Sequence, residues 1–408
     1  MKEIIRSLFP QWMINKFYHL PRAFLAYIFY GFPTRNLTVI GVTGTDGKTT
    51  TVNMIYQVLK SAGKKVSMVS TVNAVVGGQR YDTGFHVTSP DPLLVQKFAK
   101  KAKDNGDEFL ILEVTSHALD QYRFWGIKFD VAVITNVTHE HLDYHKTFGN
   151  YLNTKFKLIK DVKFAVVNEN LNRLPRRFAP RNDDNKRMIT FGHNRGDFNQ
   201  EDINLKLKIP GDYNVENALA AIVAASVLGV NQEIARKSVE SFKGIVGRME
   251  EVKNRRGFRI VIDYAHTPNG LEQALKTLRS QHPQGKLISL IGCEGKRDVG
   301  KRSLMGEIAT KLSDMVVVTA VDPRGQIDTI NRQISNGAKK AGARMDENFF
   351  IIDDRAKAID FAINSLAKKG DTVGIFGKGH ERSMNLDGKK EIHWSDEEAV
   401  KKALNNGQ

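Results

Sequence analysis

The sequence predicts an α/β protein built on two parallel sheets flanked by helices. Short apolar runs alternate with helical patterns almost to the last residue, as expected when crossover helices join parallel strands. The alternation halts in the stretch KGIVGRMEEV and restarts after it, which puts a domain boundary near residue 246. A chain of 408 residues with 41% apolar and 26% charged side chains can bury two or three cores. It contains no repeat or low-complexity tract that would argue for a solenoid or for disorder.

The elements follow in order. Residues 8–33, LFPQWMINKFYHLPRAFLAYIFYGFP, are aromatic-rich with basic residues interleaved. Pro21 is expected to interrupt the run, its apolar part AFLAYIFYGF is too short to cross a bilayer, and no small-residue cleavage site follows. The segment either packs on the next domain, the reading we favour, or lies on a membrane surface. NLTVIGV then reads as a strand leading through a glycine-rich turn into a helix opened by Lys48, Thr49 and Thr50. KVSMVS, FLILEV, VAVITN and FAVVN are the following strands. YNVENALAAIVAASVLGV (213–230) has apolar positions at helical spacing, and NQEIARKSVESF is a helix capped by Asn231. After the boundary, FRIVIDYA, KLISLIG, DMVVVTA, NFFIID and DTVGIFG are strands separated by helical stretches.

The net charge of +16, from 61 Lys and Arg against 45 Asp and Glu, favours acidic partners: nucleotides, nucleotide-linked substrates, anionic lipid or nucleic acid. Solubility accounts for it as well, because the basic residues are spread along the chain and no arginine-aromatic tract marks a nucleic-acid binder. The single cysteine, Cys293, rules out a disulfide within the chain and points to a reducing cytoplasm. It ends an apolar strand, where a small buried residue is expected rather than a nucleophile.

In the first turn, Gly41, Gly44 and Gly47 let the backbone approach a ligand, and the helix from Lys48 aims unpaired N–H groups at it. Such a turn wants an anion. Lys48 can reach terminal phosphates and the Thr49 hydroxyl can hold Mg²⁺, so a nucleoside triphosphate is the natural ligand. The common G-x-x-x-x-G-K-[ST] spacing would need glycine at position 42, where Val42 stands.

Reactive groups in open α/β sheets collect beyond the carboxyl ends of strands. Glu113 ends FLILEV and suits Mg²⁺ beside the turn. VTHEHLDYH follows VAVITN, and its His141, Asp143 and His145 read alone as a zinc site, as solvent-facing histidines, or as part of the phosphate-binding frame. In the second half, Asp263 and His266 of DYAHTP, Gly292 and Gly295 of GCEGKRDVGKR, then VDPRGQ and GKGHER end successive strands, and together they suggest a substrate crevice.

These residues resemble the Mur ligases, the ATP-dependent amide-bond formers of peptidoglycan synthesis, and within them the branch that adds the third amino acid to UDP-N-acetylmuramoyl-dipeptide. The shared motifs are GVTGTDGKTTT, TSPD, EVTSHALDQYR, TNVTHEHLDYH, YLNTKFKLI, GDYNVENALAA, GRME, DYAHTP, GKRDVGKRSLMG, DPR and GKGHE, in family order from residue 37 to the end. The family's own loop has the G-x-x-G-T-x-G-K-T form seen here, with Asp46 where asparagine is usual.

The resemblance implies three parts: a basic aromatic segment (1–36), a central P-loop NTPase-like ATP-binding domain (37–245) and a C-terminal Rossmann-like ligase domain (246–408). It implies that a substrate carboxylate is phosphorylated by ATP to an acyl phosphate, which an amino acid then attacks. Lys48, Glu113, His141 and Lys155 would be catalytic. Gly44, Thr45, Gly47, Lys48, Thr49 and Thr50 would hold the phosphates, Asn217 the adenine side, and Arg248, Asp263 and His266 would reach the nucleotide from the second half on domain closure. Thr49 and Glu113 would bind a first Mg²⁺ and His141 a second, with Lys155 carbamylated to become a further ligand; read alone, Lys155 is an ordinary exposed helical lysine. Thr88, Ser89, Thr115, Gln121 and Arg123 would hold the muramoyl-peptide, and Arg297, Asp322, Arg324, Gly377 and Glu381 would face the incoming amino acid. A monomer acting on small molecules is expected.

Two departures bear on substrates. Diaminopimelate-adding members carry Asp-Asn-Pro-Arg where Val321, Asp322, Pro323 and Arg324 stand, and the retained guanidinium favours meso-diaminopimelate over lysine. The family also places a UDP-binding domain before its phosphate loop, whereas here only the aromatic segment precedes it, so that domain is expected to be missing. A polyglutamate-type ligase and a partner-dependent nucleotide-binding subunit are the rival readings.

Overall fold

The structure is a computed structural model that describes residues 9–81, 89–138, 140–171 and 187–406. The chain forms two compact units. The first takes the chain through Val137, then Thr147–Lys208 and Asp212–Phe242; the second takes Thr138–Lys146, Ile209–Gly211 and the chain from Lys243 onward.

The first unit opens with a helical segment. A turn at Gln11–Ile14 passes through a widened π turn, Asn15–His19, into α1 (Leu20–Phe29). Pro21 therefore does not interrupt the run. It falls in the first turn of α1, where the widened turn accommodates a residue that has no N–H to donate.

Among the described residues the first sheet has nine strands: β1 (Thr38–Thr43), β2 (Val66–Val69), β3 (Ala74–Val76), β4 (Gln79–Tyr81), β5 (Phe109–Glu113), β6 (Val131–Ile134), β7 (Phe164–Asn168), β8 (Arg187–Gly192) and β9 (Phe198–Asn199). Their order is β4-β3-β2-β5-β1-β6-β7-β8-β9, parallel except for the β2-β3-β4 hairpins. β1 is buried along almost its whole length, which explains its continuous apolar run. Because β1 lies between β5 and β6, the turns leaving these three strands emerge side by side at one edge.

Among the described residues the longer helices that follow α1 in this unit are α2 (Lys48–Ser61), α3 (Pro92–Asp104), α4 (Phe148–Phe156), α5 (Asp212–Ser226) and α6 (Gln232–Glu240). α2 buries Val52, Ile55, Val58 and Leu59 at three- and four-residue spacing. α5 is buried nearly all round because it packs on α2, α6 and the sheet. The Asn231 side chain caps α6 by accepting from the Glu233 and Ile234 amides, as its sequence position predicts.

The second unit has a sheet of β10 (Glu250–Glu251), β11 (Arg259–Asp263), β12 (Leu287–Ile291), β13 (Met315–Val318), β14 (Phe349–Ile351) and β15 (Thr372–Phe376), in the order β10-β11-β15-β12-β13-β14. All pairs but β10-β11 are parallel. Strand alternation splits its core in two. Val261, Val316, Val318 and Phe376 pack under α7 (Pro268–Gln281), α8 (Gly300–Leu312) and α9 (Ile327–Lys340). Ile260, Ile262, Leu290, Val373 and Ile375 pack under α10 (Arg355–Phe361) and α11 (Asp396–Asn406). The Arg355 guanidinium ties these last two helices together, reaching both Asp396 oxygens at 2.7 and 2.8 Å in full burial. Among the described residues no helix is long and apolar enough to cross a membrane.

Candidate functional site

In the first unit, the turn from β1 into α2 carries Gly44, Thr45, Gly47, Lys48, Thr49 and Thr50. Gly47 has φ 81° and abuts the Asn217 amide of α5, so a Cβ there would be strained and would collide. A Cβ at Gly44 would run into the Thr135 hydroxyl. Asn136, just beyond β6, pins the turn: its Oδ1 accepts from the Thr45 and Asp46 amides at 3.1 and 2.9 Å, and its Nδ2 donates to the Asp46 carbonyl at 3.2 Å. Thr135 donates to the same carbonyl at 2.6 Å. The loop is thus preorganised before any ligand arrives.

Two ammonium groups hold its carbonyls. Lys48 donates to Thr45 at 2.8 Å and Lys155, from α4, donates to Gly44 at 2.6 Å. Lys155 is 1% exposed and lies 4.6 Å from the centroid of the Tyr151 ring, so the ordinary solvent-facing lysine is excluded. α4 is aimed by Thr147, whose side chain caps it at the Asn150 amide, and by the Tyr151 hydroxyl, 3.0 Å from the Thr45 hydroxyl.

The Thr49 hydroxyl donates to Glu113 at 3.0 and 3.1 Å, one distance to each oxygen, and the Thr71 amide fixes that carboxylate at 2.8 Å. A hydroxyl and a carboxylate, both buried and both hard oxygen donors, fit Mg²⁺. Among the described residues no three His, Cys, Asp or Glu side chains gather as a ligand set. Mg²⁺ commonly completes its shell with phosphate oxygens and water, so a two-residue donor set suits it.

Beside Glu113, the expected muramoyl-peptide residues form one network. The Ser89 hydroxyl donates to the Glu113 carbonyl and meets the Thr115 hydroxyl, both at 3.1 Å. Arg123 donates to the Ser89 carbonyl at 2.5 Å and grips Gln121 Oε1 at 2.8 and 3.1 Å. Thr88 lies outside the described residues.

The second unit carries the remaining residues, His141 among them, which has φ 57° and sits 3.8 Å from Glu140. Glu140 in turn pairs with Lys301 of α8 at 3.2 Å, both fully buried. Asp263 accepts from the Met249 and Ala265 amides, each at 2.7 Å, and so shapes the loop bearing Arg248. Arg248 stacks 4.3 Å over Tyr264, whose ring also packs on His266 and His380 at 4.5 and 5.1 Å. Burial, with Glu381 and Glu294 nearby, pushes the Tyr264 phenol upward.

Beyond β13, Asp322 is fully buried: Lys378 reaches it at 3.2 Å and the Asn385 amide at 2.9 Å. Lys378 also pairs with Glu381. Arg324 donates to the Gly295 carbonyl at 3.1 Å and lies 3.8 Å from Asp322. Gly377, at φ 104°, backs onto Val321. Arg297 sits 3.8 Å from Glu294. Burial acts to raise the Glu294 carboxyl, but Arg297, Lys301, His266 and Arg324 outweigh it and hold the group at about 2. Glu294 in turn raises Arg297.

Asn136, Tyr151, Glu140, Glu294, Lys301 and Lys378 are polar residues that the sequence reading leaves out. All six stand inside motifs quoted above, Asn136 and Glu140 in TNVTHEHLDYH, Tyr151 in YLNTKFKLI, Glu294 in GCEGKRDVGKR, Lys301 in GKRDVGKRSLMG and Lys378 in GKGHE, so motif membership was the available signal.

Residues 42–225 match the Mur ligase middle domain, and residues 247–379 match the Mur ligase glutamate ligase domain. The UDP-N-acetylmuramoyl-L-alanyl-D-glutamate--2,6-diaminopimelate ligase of Clostridium tetani is 36% identical over 395 residues, covering 92% of this chain and 79% of that protein. Its namesake in Geobacillus thermodenitrificans is 37% identical over 389 residues, covering 88% and 77%. A solved structure of a ligase of that name superposes with TM-score 0.60 at 28% identity, covering 94% of this chain and 82% of that one. A Mycobacterium tuberculosis folylpolyglutamate synthase superposes with TM-score 0.70 over 88% of this chain and 92% of that one, but at 16% identity it speaks for the fold alone. Two matched domains in sequence, together with relatives this similar over most of their length, establish that the chain belongs to the Mur ligase family.

Proposed function

We propose that this chain is an ATP-dependent, ADP-forming ligase that adds meso-diaminopimelate to UDP-N-acetylmuramoyl-L-alanyl-D-glutamate, a step of peptidoglycan synthesis. The observation that carries the reading is the Thr49–Glu113 pair beside a loop whose carbonyls are held by Lys48 and Lys155. Such a loop, opening a helix, is built for the phosphates of ATP.

A carboxylate is a poor electrophile and must be activated. Its oxygen attacks the γ-phosphorus, the bond to the ADP oxygen breaks, and an acyl phosphate forms. The amine then attacks the acyl carbon, a proton leaves the nitrogen, and the tetrahedral adduct expels phosphate to give the amide. Lys48 draws the terminal phosphates into line, and the backbone N–H groups at the start of α2 accept their charge. Mg²⁺, held by Thr49 and Glu113 and assisted by His141 and a carbamylated Lys155, would offset charge between the two anions. Asn217 would contact the adenine side, with Arg248, Asp263 and His266 on the nucleotide as well.

Ser89, Thr115, Gln121 and Arg123 supply donors for the peptide carboxylate. Arg297 and Arg324 supply guanidinium groups for the distal carboxylate of diaminopimelate, and Lys378 balances Asp322 and Glu381 so that those carboxylates do not repel it. The names of the Clostridium and Geobacillus relatives support the same substrate. Catalysis by a monomer in the cytoplasm completes the proposal.

The test is phosphate release with ATP and UDP-muramoyl-dipeptide against diaminopimelate, lysine and glutamate. Stimulation by diaminopimelate alone is expected. Turnover with glutamate alone would replace this reading with a polyglutamate-type ligase, and silence with all three would point to a partner-dependent subunit.

A further inference from the structure

The helical segment Gln11–Phe29 uses only one of its faces on the protein. On that face the Asn15 amide donates to Asp120 at 2.7 Å and Ala23 and Ala26 are buried. Phe24 and Tyr27 meet Trp125 edge to face, with ring centroids 5.0 and 5.9 Å apart. The opposite face stays open to solvent among the described residues. Phe17, Leu25, Ile28 and Phe29 recur there at helical spacing, and three of them are more than 60% exposed: Phe17 at 67%, Leu25 at 63% and Phe29 at 77%. A folded monomer rarely leaves large apolar side chains together in water without a use for them.

Charge decides what covers this face. Residues 9–37 contain Lys16, Arg22 and Arg35 and no carboxylate. Arg22 leans over Tyr18 at 5.6 Å, and Asp91, 3.9 Å from it, is half exposed. α3, on which α1 packs, carries Lys97, Lys100, Lys101 and Lys103, of which Lys100 pairs with Asp104 and Lys101 lies 4.2 Å over the Tyr81 ring. A second copy of so basic a surface would be repelled. Aromatic side chains beside lysine and arginine match the boundary between lipid headgroups and acyl chains. The ten residues of α1 span roughly 15 Å, half a bilayer core, so the segment can lie in the interface but not cross it.

We propose that this face docks on an anionic lipid surface, with Phe17, Leu25, Ile28 and Phe29 sunk to the level of the acyl chains and Lys16 and Arg22 against the phosphates. Substrate turnover is not needed for this contact, so it stands or falls apart from the ligase reading.

The test is flotation of the full chain with phosphatidylcholine vesicles and with vesicles containing phosphatidylglycerol. Two basic side chains near the surface predict a preference for the anionic vesicles on the order of 30-fold at low salt, falling as salt rises. Trp12 emission should shift to the blue on binding, and Trp12→Phe should remove that part of the shift. Leu25→Glu with Phe29→Glu alters exposed positions only, so it should keep the melting temperature and lose vesicle binding at least about 10-fold. Equal binding to both vesicle types, or binding indifferent to the double substitution, would overturn the proposal. So would a dimer in light scattering that the double substitution dissolves while vesicles are ignored, because a second copy would then own the face. Binding that emerges only after residues 1–8 are removed would likewise overturn it for the intact chain.

Discussion

The Lys155 ammonium and the Gly44 carbonyl share a buried hydrogen bond of 2.6 Å. The side chain expected to become a carbamate is therefore engaged, as a cation, by the phosphate loop itself. Carbamylation joins a neutral amine to CO₂ with loss of a proton, so it must break this bond and turn a donor into an acceptor. Under the proposed function, turnover should depend on dissolved CO₂, and the intact protein should gain the mass of one CO₂ on Lys155 in bicarbonate. Lys155→Ala should lower kcat by roughly 100-fold or more, with partial rescue by a short carboxylate. Unchanged turnover in Lys155→Ala would remove the carbamate from the mechanism.

Gly47 and Asn217 set the second prediction. At φ 81° any side chain costs about 1–2 kcal/mol, and a Cβ would also push the Asn217 amide aside. Gly47→Ala should weaken ADP binding about 10-fold or more, which titration calorimetry reads, while thermal unfolding moves little. Wild-type ADP affinity in that variant would mean the turn does not cradle the nucleotide.

Much of this architecture is legible in the sequence, for a physical reason. β1, β5, β6, β12 and β15 are buried on both faces, so each is a continuous apolar run bounded by polar turns. The phosphate loop is legible because its glycines are dictated locally. The β3-β4 hairpin is not predicted: its strands are only three residues long, β3 buried and β4 largely exposed, although Gly77-Gly78, both at positive φ, is a hairpin signal. The supports of the site are less legible still. Asn136 grips Thr45 across a separation of 91 residues, and Lys301 meets Glu140 across 161. No local pattern carries such pairings, since only the fold brings these groups together.

Glu294 gives a prediction in pH. Its carboxyl is lowered from 4.5 to about 2, so the folded state gains from its ionised form. That stability is complete above the ordinary carboxylate range and is lost as pH falls from about 4.5 toward 2. Glu294→Gln should therefore lie on the order of 3 kcal/mol below wild type at neutral pH, with the gap closing in acid. Urea unfolding across that window measures it, and a gap independent of pH would contradict the assignment.

Cys293 is 3% exposed and burial pushes its thiol up to about 12. A thiol-specific disulfide reagent at mildly alkaline pH should leave the native protein unmodified and titrate one thiol after unfolding, because thiolate and access are both missing. Rapid native labelling would place Cys293 at an open surface.

Lys378 offers the sharpest separation of structure from specificity. It is fully buried and bonds to both Asp322 and Glu381, so its loss removes the buried cation that these two carboxylates share. Lys378→Met should cost about 3–5 kcal/mol of stability. Adding Asp322→Asn and Glu381→Gln removes the two negative charges that Lys378 balanced and should recover most of that loss, since the amides hydrogen-bond without repelling one another. If Asp322 and Glu381 face the incoming amino acid, the triple variant should fold yet show a raised KM for diaminopimelate with the KM for ATP unchanged. Should the triple variant stay as unstable as Lys378→Met, the charge balance is not what Lys378 provides. Should it fold with a normal KM for the amino acid, the Asp322–Lys378–Glu381 cluster supports the loop without touching the substrate.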